Sequence, residues 1–159
     1  MISFRENPVI YIVDSNPGYR KVIAGCLEAL KYKKVKSFDD GESCYSSIEP
    51  EPDIIILDFN LGVGKWNGLE FMDEYSRKNK KTKYIFLSSN TKVEVAVEAV
   101  RKGAIDYILK SKSGLTRVAK QVDLLKNAMH YKQKEHRLLN LSALSFLVFT
   151  SSILVNSLY

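Results

Sequence analysis

Four polar residues stand directly after short apolar runs. Asp14 follows Ile10-Tyr11-Ile12-Val13, Asp58 follows Ile54-Ile55-Ile56-Leu57, Ser88 follows Tyr84-Ile85-Phe86-Leu87, and Lys110 follows Tyr107-Ile108-Leu109. If the four converge, each has a use. Two neighbouring carboxylates repel, and a hard divalent cation such as Mg²⁺, which prefers oxygen ligands, relieves that repulsion. Such a cation also screens a phosphoryl oxygen while an Asp58 oxygen attacks phosphorus. Lys110 would neutralise a second phosphoryl oxygen as a point charge, and the Ser88 hydroxyl would donate to a third. The set suits phosphoryl transfer, in which positioning and charge stabilisation supply most of the effect. Singly, most have ordinary explanations. Asp14 opens the turn sequence Asp14-Ser15-Asn16-Pro17-Gly18, where Asp is common. Lys110 alone reads as a surface lysine, and Ser88 alone carries no signal. Asp58 is harder to dismiss, because a carboxylate directly after buried aliphatics is costly without partners.

The elements that would position them alternate along the chain. Val9 to Val13 is a β-branched and aromatic run, and Tyr19 to Leu30 places Val22, Ile23, Cys26, Leu27 and Leu30 at helical spacing. A second strand is expected over Lys34 to Phe38 and a short helix over Asp39 to Ile48, closed by Pro50 and Pro52. After the third strand a loop carries Gly62, Gly64 and Gly68, and a helix over Leu69 to Asn79 has Leu69, Met72 and Tyr75 on one face. The fourth strand, Tyr84 to Leu87, precedes a helix over Thr91 to Lys102 with Gly103 as its cap. The fifth strand, Ile105 to Leu109, precedes a helix from Leu115 to about Tyr131 whose core stripe is Leu115, Val118, Val122 and Leu125. Alternation with short connections predicts right-handed crossovers. The fold class is therefore α/β: a doubly wound, five-stranded parallel sheet with five flanking helices and a C-terminal hydrophobic helical extension. Ligand chemistry in such sheets gathers at the carboxyl ends of the strands.

Bulk properties agree with one globular domain. The 159 residues are 45% hydrophobic and 26% charged, an ordinary balance that argues against disorder. The formal net charge is +6, but the lysines are dispersed and no DNA-reading motif accompanies them, so a solvated basic surface is the reading and direct DNA binding is not expected. Cys26 and Cys44 lie far apart in the sequence with no metal-ligand spacing, which predicts two buried free thiols in a reducing cytosol. Arg5, Glu6 and Pro8 interrupt any secretory signal at the N-terminus, so a cytoplasmic domain is expected.

With these residues in place, the chain resembles the receiver domain of two-component response regulators, the chemotaxis-regulator-like type, over roughly residues 7 to 130. Ile10 to Asp14 looks like the first strand with its acid, and Ile54 to Asp58 looks like the phosphoacceptor strand. Leu87-Ser88-Ser89 looks like the switch hydroxyl followed by a small residue, and Asp106 to Lys110 like the strand carrying the aromatic switch and the lysine. The resemblance implies a flavodoxin-like receiver fold and a phosphoacceptor signalling domain rather than an enzyme, with self-catalysed phosphoryl transfer only. It implies that Asp58 accepts phosphate from a sensor histidine kinase or a phosphotransfer protein. Asp14, Asp58 and the Asn60 backbone carbonyl would hold Mg²⁺, and Lys110 would pair with the phosphoryl group. Ser88 and Tyr107 would act as the switch, presenting a changed face to a downstream protein.

Three positions depart from that pattern. Ser15 stands where receivers carry a second acid, which should weaken Mg²⁺ binding. The loop from Gly62 to Gly68 is longer than usual and carries Trp66, either a partner contact or a packed side chain. Ser111 replaces the proline that typically follows the lysine. Ser15 keeps open an alternative: a pseudo-receiver, an interaction module with weak or no phosphorylation. A haloacid-dehalogenase-type phosphatase would need an acid at position 60, where the chain has Asn60. A flavodoxin would need a phosphate loop that Asp14 to Pro17 does not supply.

The receiver is expected over 1–131, and 132–159 divides into a basic linker and an uncharged hydrophobic helix. No charged residue occurs from Leu138 to Tyr159. As a helix that stretch would be about 33 Å long, close to the ~30 Å hydrocarbon core of a bilayer, with basic residues just before it. Asn140, Ser142, Ser145 and Thr150 temper its apolar character. A membrane anchor tethering the domain to the inner membrane, a homo-oligomerisation helix, and a segment folded back on the domain all remain open.

Overall fold

A computed structural model describes residues 7–47 and 50–156, with side chains described through Leu141. The chain alternates β1 (Ile10–Val13), α1 (Pro17–Ala29), β2 (Val35–Phe38), α2 (Gly41–Ser46), β3 (Ile54–Leu57), α3 (Gly68–Lys78), β4 (Lys83–Ser88), α4 (Val93–Arg101), β5 (Asp106–Leu109) and α5 (Lys112–Asn156). The strands form one sheet in the order β2-β1-β3-β4-β5, every pair parallel. This is the doubly wound parallel sheet expected from the alternation, in the strand order that the resemblance implied. As an edge strand, Val35–Phe38 is only half-covered, and the other edge strand, β5, leaves Leu109 48% exposed.

The register sets the site. Val13 pairs with Leu57, and Leu57 with Phe86, so the ends of β1, β3 and β4 finish nearly level. The Asp58 amide donates to the Val13 carbonyl at 2.8 Å. The order of strand addition reverses between β1 and β3, with β2 on one side and β4 and β5 on the other. Asp14 and Asp58 therefore stand at the topological switch point, where the loops part and open a crevice.

Period-two alternation divides the core between two faces. Tyr11, Val13, Ile55, Leu57, Tyr84 and Phe86 pack with Phe71, Met72 and Tyr75 of α3. Ile10, Ile12, Ile54, Ile56 and Ile85 are equally buried and belong to the opposite face. In α1 only Ile23 and Leu27 are buried. Val22 and Leu30, which share that helical spacing, are 47% and 51% exposed, because the buried arc of the helix is narrower than its apolar pattern. Val118 and Val122 are buried on α5, whereas Leu115 and Leu125 are only partly so. Cys44 is buried, but Cys26 is only half-covered.

Helix starts are specified by short-range chemistry. Asn16 accepts from the Gly18 and Tyr19 amides, with Pro17 at the first helical position. Asn67 and Glu70 form a reciprocal capping box on α3. Ser111 caps α5, its hydroxyl accepting from the Gly114 amide at 2.9 Å. A proline there could not do this, which explains the departure after Lys110. The short α2 spans Gly41–Ser46, and Ile48, the expected end, lies outside the described residues. α5 runs on past the expected end near Tyr131. The chain divides into two compact units, residues 1–123 and 124–159. The expected boundary at 131–132 falls within helix. Residues 157–159 and the side chains of 142–156, on which the hydrophobic-extension reading rests, lie outside the described residues.

Gly68 joins fold to site. A Cβ there would collide with the Asp58 carbonyl oxygen and stand 2.9 Å from the Phe86 ring. Gly68→Ala should therefore cost about 1–3 kcal/mol, read as a lower urea midpoint with an unchanged slope.

Candidate functional site

The four strand-end residues converge. Lys110 Nζ lies 2.6 Å from Asp58 Oδ2 and 2.7 Å from Asp14 Oδ2. Ser88 Oγ donates to Asp58 Oδ1 at 2.6 Å. Both oxygens of Asp58 are thus held, one by a hydroxyl and one by an ammonium. The groups are nearly sealed: the side chains of Lys110, Asp14 and Asp58 are 7%, 2% and 4% exposed. Backbone bonds fix the ends that carry them, since the Lys110 amide donates to the Ser88 carbonyl at 2.9 Å.

Burial dictates the electrostatics. Desolvation raises the Asp14 pKa above the ordinary carboxylate value, opposed by the Lys110 ammonium and the Asn16 amide. That amide donates to Asp14 Oδ1 at 2.8 Å. Asp14 Oδ2 has no aligned hydrogen bond, although Lys110 stands within ion-pair distance. For Lys110, burial works against the charged form, but its contacts with Asp14 and Asp58 outweigh it and hold the pKa above the usual lysine value. The ammonium therefore stays charged.

Ser15 does not join the carboxylates. Its hydroxyl donates to the Asn60 backbone carbonyl at 3.0 Å. Among the described residues no group of three or more His, Cys, Asp or Glu could hold a metal ion. Ser15 in place of an acid leaves only two carboxylates here. The remaining donors nonetheless suit a hard divalent cation in kind: the carboxylates of Asp14 and Asp58 and the Asn60 carbonyl are all oxygens, and Asp14 Oδ2 is a buried oxygen with no aligned hydrogen bond.

Tyr107 sits on β5 with its ring 5.7 Å from Phe86, nearly parallel. Its hydroxyl donates to the Asn90 carbonyl at 2.9 Å, and the Asn90 amide donates to Ser88 Oγ at 3.2 Å. A continuous path therefore runs from Asp58 through Ser88 and Asn90 to Tyr107. Next to Tyr107, the buried Asp106 accepts a fork from Arg117 at 2.8 and 2.7 Å and a bond from Gln121 at 2.9 Å, tying β5 to the start of α5.

Sequence reasoning passed over two contacts. The Tyr19 ring centroid lies 4.6 Å from Lys110 Nζ, a cation–π contact, and Arg20 donates to the Asp14 carbonyl at 2.6 Å. Both residues lie in the first turn after Pro17. An aromatic and a base one turn beyond the strand-end acid were the available signal. Trp66 resolves as a packed side chain: its ring meets Tyr45 edge-on at 5.6 Å, and its amide donates to Glu42 at 3.1 Å. Lys65 pairs with Asp40 at 3.1 Å. The loop after Asp58 is thereby held against α2, and Gly62 and Gly64 take the positive φ angles its turns require.

A family model described as the response regulator receiver domain matches residues 10–122. The nitrogen assimilation regulatory protein NtrX of Azorhizobium caulinodans is 31% identical over 101 residues, 64% of this chain and 22% of that protein. The chemotaxis protein CheY of Listeria monocytogenes is 28% identical over 102 residues, 64% of this chain and 84% of that one. The crystal structure of the receiver domain of NtrX from Brucella abortus superimposes with a TM-score of 0.63 at 28% identity, covering 71% of this chain and 96% of that one. The chain spans about a fifth to a third of the length of the first three curated relatives it matches.

Two stability outcomes follow from the ion cluster, measured with a chelator present. Lys110→Met leaves two buried carboxylates without their cation and should cost about 3 kcal/mol at neutral pH. Asp14 has a raised folded-state pKa, so its contribution is present below the unfolded carboxylate value and is lost as pH rises through the folded one. Asp14→Asn should therefore melt above the wild type at neutral pH, with the gap closing as pH falls through the carboxylate range. A constant gap would show that Asp14 ionisation is not its cause.

Proposed function

The chain belongs to the response regulator receiver domain family, and from that premise we propose that it is a phosphorylation switch whose acceptor is Asp58. The observation that carries the reading is the buried Asp58 carboxylate, held on one oxygen by Ser88 and on the other by Lys110. A nucleophile so placed cannot rotate away and lies beside the two groups able to neutralise an incoming phosphoryl group.

In this reading an Asp58 oxygen forms the bond to phosphorus as the nitrogen–phosphorus bond of a partner's phosphohistidine breaks, and the leaving imidazole takes up a proton. The donor is a sensor histidine kinase or a phosphotransfer protein. Lys110 turns from the Asp58 carboxylate to a phosphoryl oxygen while keeping its contact with Asp14. Ser88 exchanges its bond to Asp58 Oδ1 for one to the phosphoryl group. That movement draws on the Asn90 amide bonded to Ser88 and on the Tyr107 hydroxyl bonded to the Asn90 carbonyl, so the β4–α4 loop and the exposed side of β5 change together. A downstream protein reads that change. Mg²⁺, held by Asp14, Asp58 and the Asn60 carbonyl, would supply charge neutralisation for the transferring group.

A second reading has its own support. Ser15 occupies the Asn60 carbonyl and Lys110 already pairs with both acids, as expected of a pseudo-receiver that holds the fold without being phosphorylated.

One experiment separates the two: addition of a small phosphodonor or beryllofluoride with Mg²⁺, followed by Trp66 fluorescence. A working switch gives a Mg²⁺-dependent change that is absent in Asp58→Asn, and Ser15→Asp lowers the Mg²⁺ concentration required about tenfold. Silence of both wild type and Ser15→Asp at saturating Mg²⁺ would sink the switch and leave the pseudo-receiver.

A further inference from the structure

We propose that the helical stretch from Leu138 to Asn156 spans a lipid bilayer and tethers the receiver domain to it. The proposal goes beyond the phosphorylation reading and is independent of whether Asp58 is modified.

α5 is helical without a break to Asn156, but its character changes sharply on the way. Lys132, Lys134, Glu135 and Arg137 crowd one stretch, and no charged residue follows. At the junction Leu138, Leu139 and Leu141 are 60%, 59% and 63% exposed. Three leucines at that exposure within one turn form an apolar surface that calls for cover.

The angular distribution of residue types decides what covers it. A helix that packs on another helix needs an apolar stripe, with polar residues on the remaining arc. Here no stripe exists. Leu144, Phe146, Leu147, Val148 and Phe149 follow one another at steps of one or two residues, and each residue turns about 100° around the axis. Apolar positions therefore fall on every side. A helix apolar all round belongs in hydrocarbon or in the interior of a large protein. The helical stretch from Leu138 to Asn156 rises about 28 Å, close to the ~30 Å of hydrocarbon it would cross.

The polar residues are of tolerated kinds. Serine and threonine hydroxyls can bond back to the carbonyl one turn earlier, so they need no outside partner. Asn140 and Asn156 stand near the two ends of the stretch, at headgroup depth. Lys132, Lys134 and Arg137 lie immediately before it, where anionic headgroups attract cations. That placement puts the basic side, and the receiver with it, on the cytoplasmic face. Among the described residues no helix is long and apolar enough to cross a membrane. The proposed span has its side chains outside that set from Ser142 onward and rests on residue types along a helical backbone.

The test is cell-free synthesis of the full chain with vesicles of phosphatidylcholine and phosphatidylglycerol, a carbonate wash, and flotation. The full chain should float after the wash. Leu147→Arg, at the middle of the span, should lower the membrane-to-water partition about a hundredfold, with the near-ultraviolet signal of Trp66 unchanged as evidence that the receiver is folded. Ser151→Leu, which adds apolar surface, should float at least as completely as the wild type. Recovery of the full chain as a soluble monomer would overturn the proposal. A soluble dimer dissociated by Leu147→Arg would overturn it in favour of a second copy as the cover. Binding that the carbonate wash strips would overturn it in favour of surface adsorption through the basic stretch.

Discussion

One ammonium between two buried carboxylates is the constraint on which the receiver site depends. Asp14 and Asp58 are forced together by the sheet register, since their strands pair Val13 with Leu57. Neither has water to dissipate its charge. Lys110, within 2.7 Å of both, makes the arrangement tolerable and leaves one unit of negative charge over. That residual charge makes the crevice receptive to a cation. The competition between burial and Lys110 is visible in Asp14, whose carboxyl is pushed up by desolvation despite the neighbouring ammonium.

The surrounding structure holds that triad at fixed distances. Asn16 both starts α1 and, through its amide, holds Asp14 Oδ1. Gly68 lets α3 begin against the Asp58 carbonyl, where a side chain has no room. Ser111 starts α5 one residue beyond Lys110, and Asp106 clamps β5 to that helix through Arg117 and Gln121. The ends of β1, β3 and β5 are thus pinned by the cap or clamp of the helix that follows each, whereas α4, after β4, starts without a side-chain cap. Disturbance at Asp58 has few soft places to dissipate. The most direct route is the chain of hydrogen bonds from Ser88 through Asn90 to Tyr107.

Two serines at unusual positions have different weight. Ser111 has a clear structural use as a helix cap, and its substitution for proline leaves Lys110 well placed. Ser15 removes a carboxylate and ties its hydroxyl to Asn60, so it changes the charge of the site and not only its shape. The loop that follows is long but anchored on α2 through Lys65, Trp66 and Tyr45, so its added residues need not add freedom beside Asp58.

The sequence by itself determined the strand–helix alternation, the parallel sheet and the identity of the strand-end residues. These depend on local periodicity and on the cost of burying polar groups, both of which are written in consecutive residues. It left the burial of Val22 and Leu30 open, because periodicity gives an apolar face but not the width of the surface that meets it. Tyr19 over Lys110, the Arg117 fork on Asp106 and the packing of Trp66 on Tyr45 were decided only by the tertiary structure. Each joins residues from separate elements, and no local pattern encodes a distance between side chains that meet only after the sheet has closed its register.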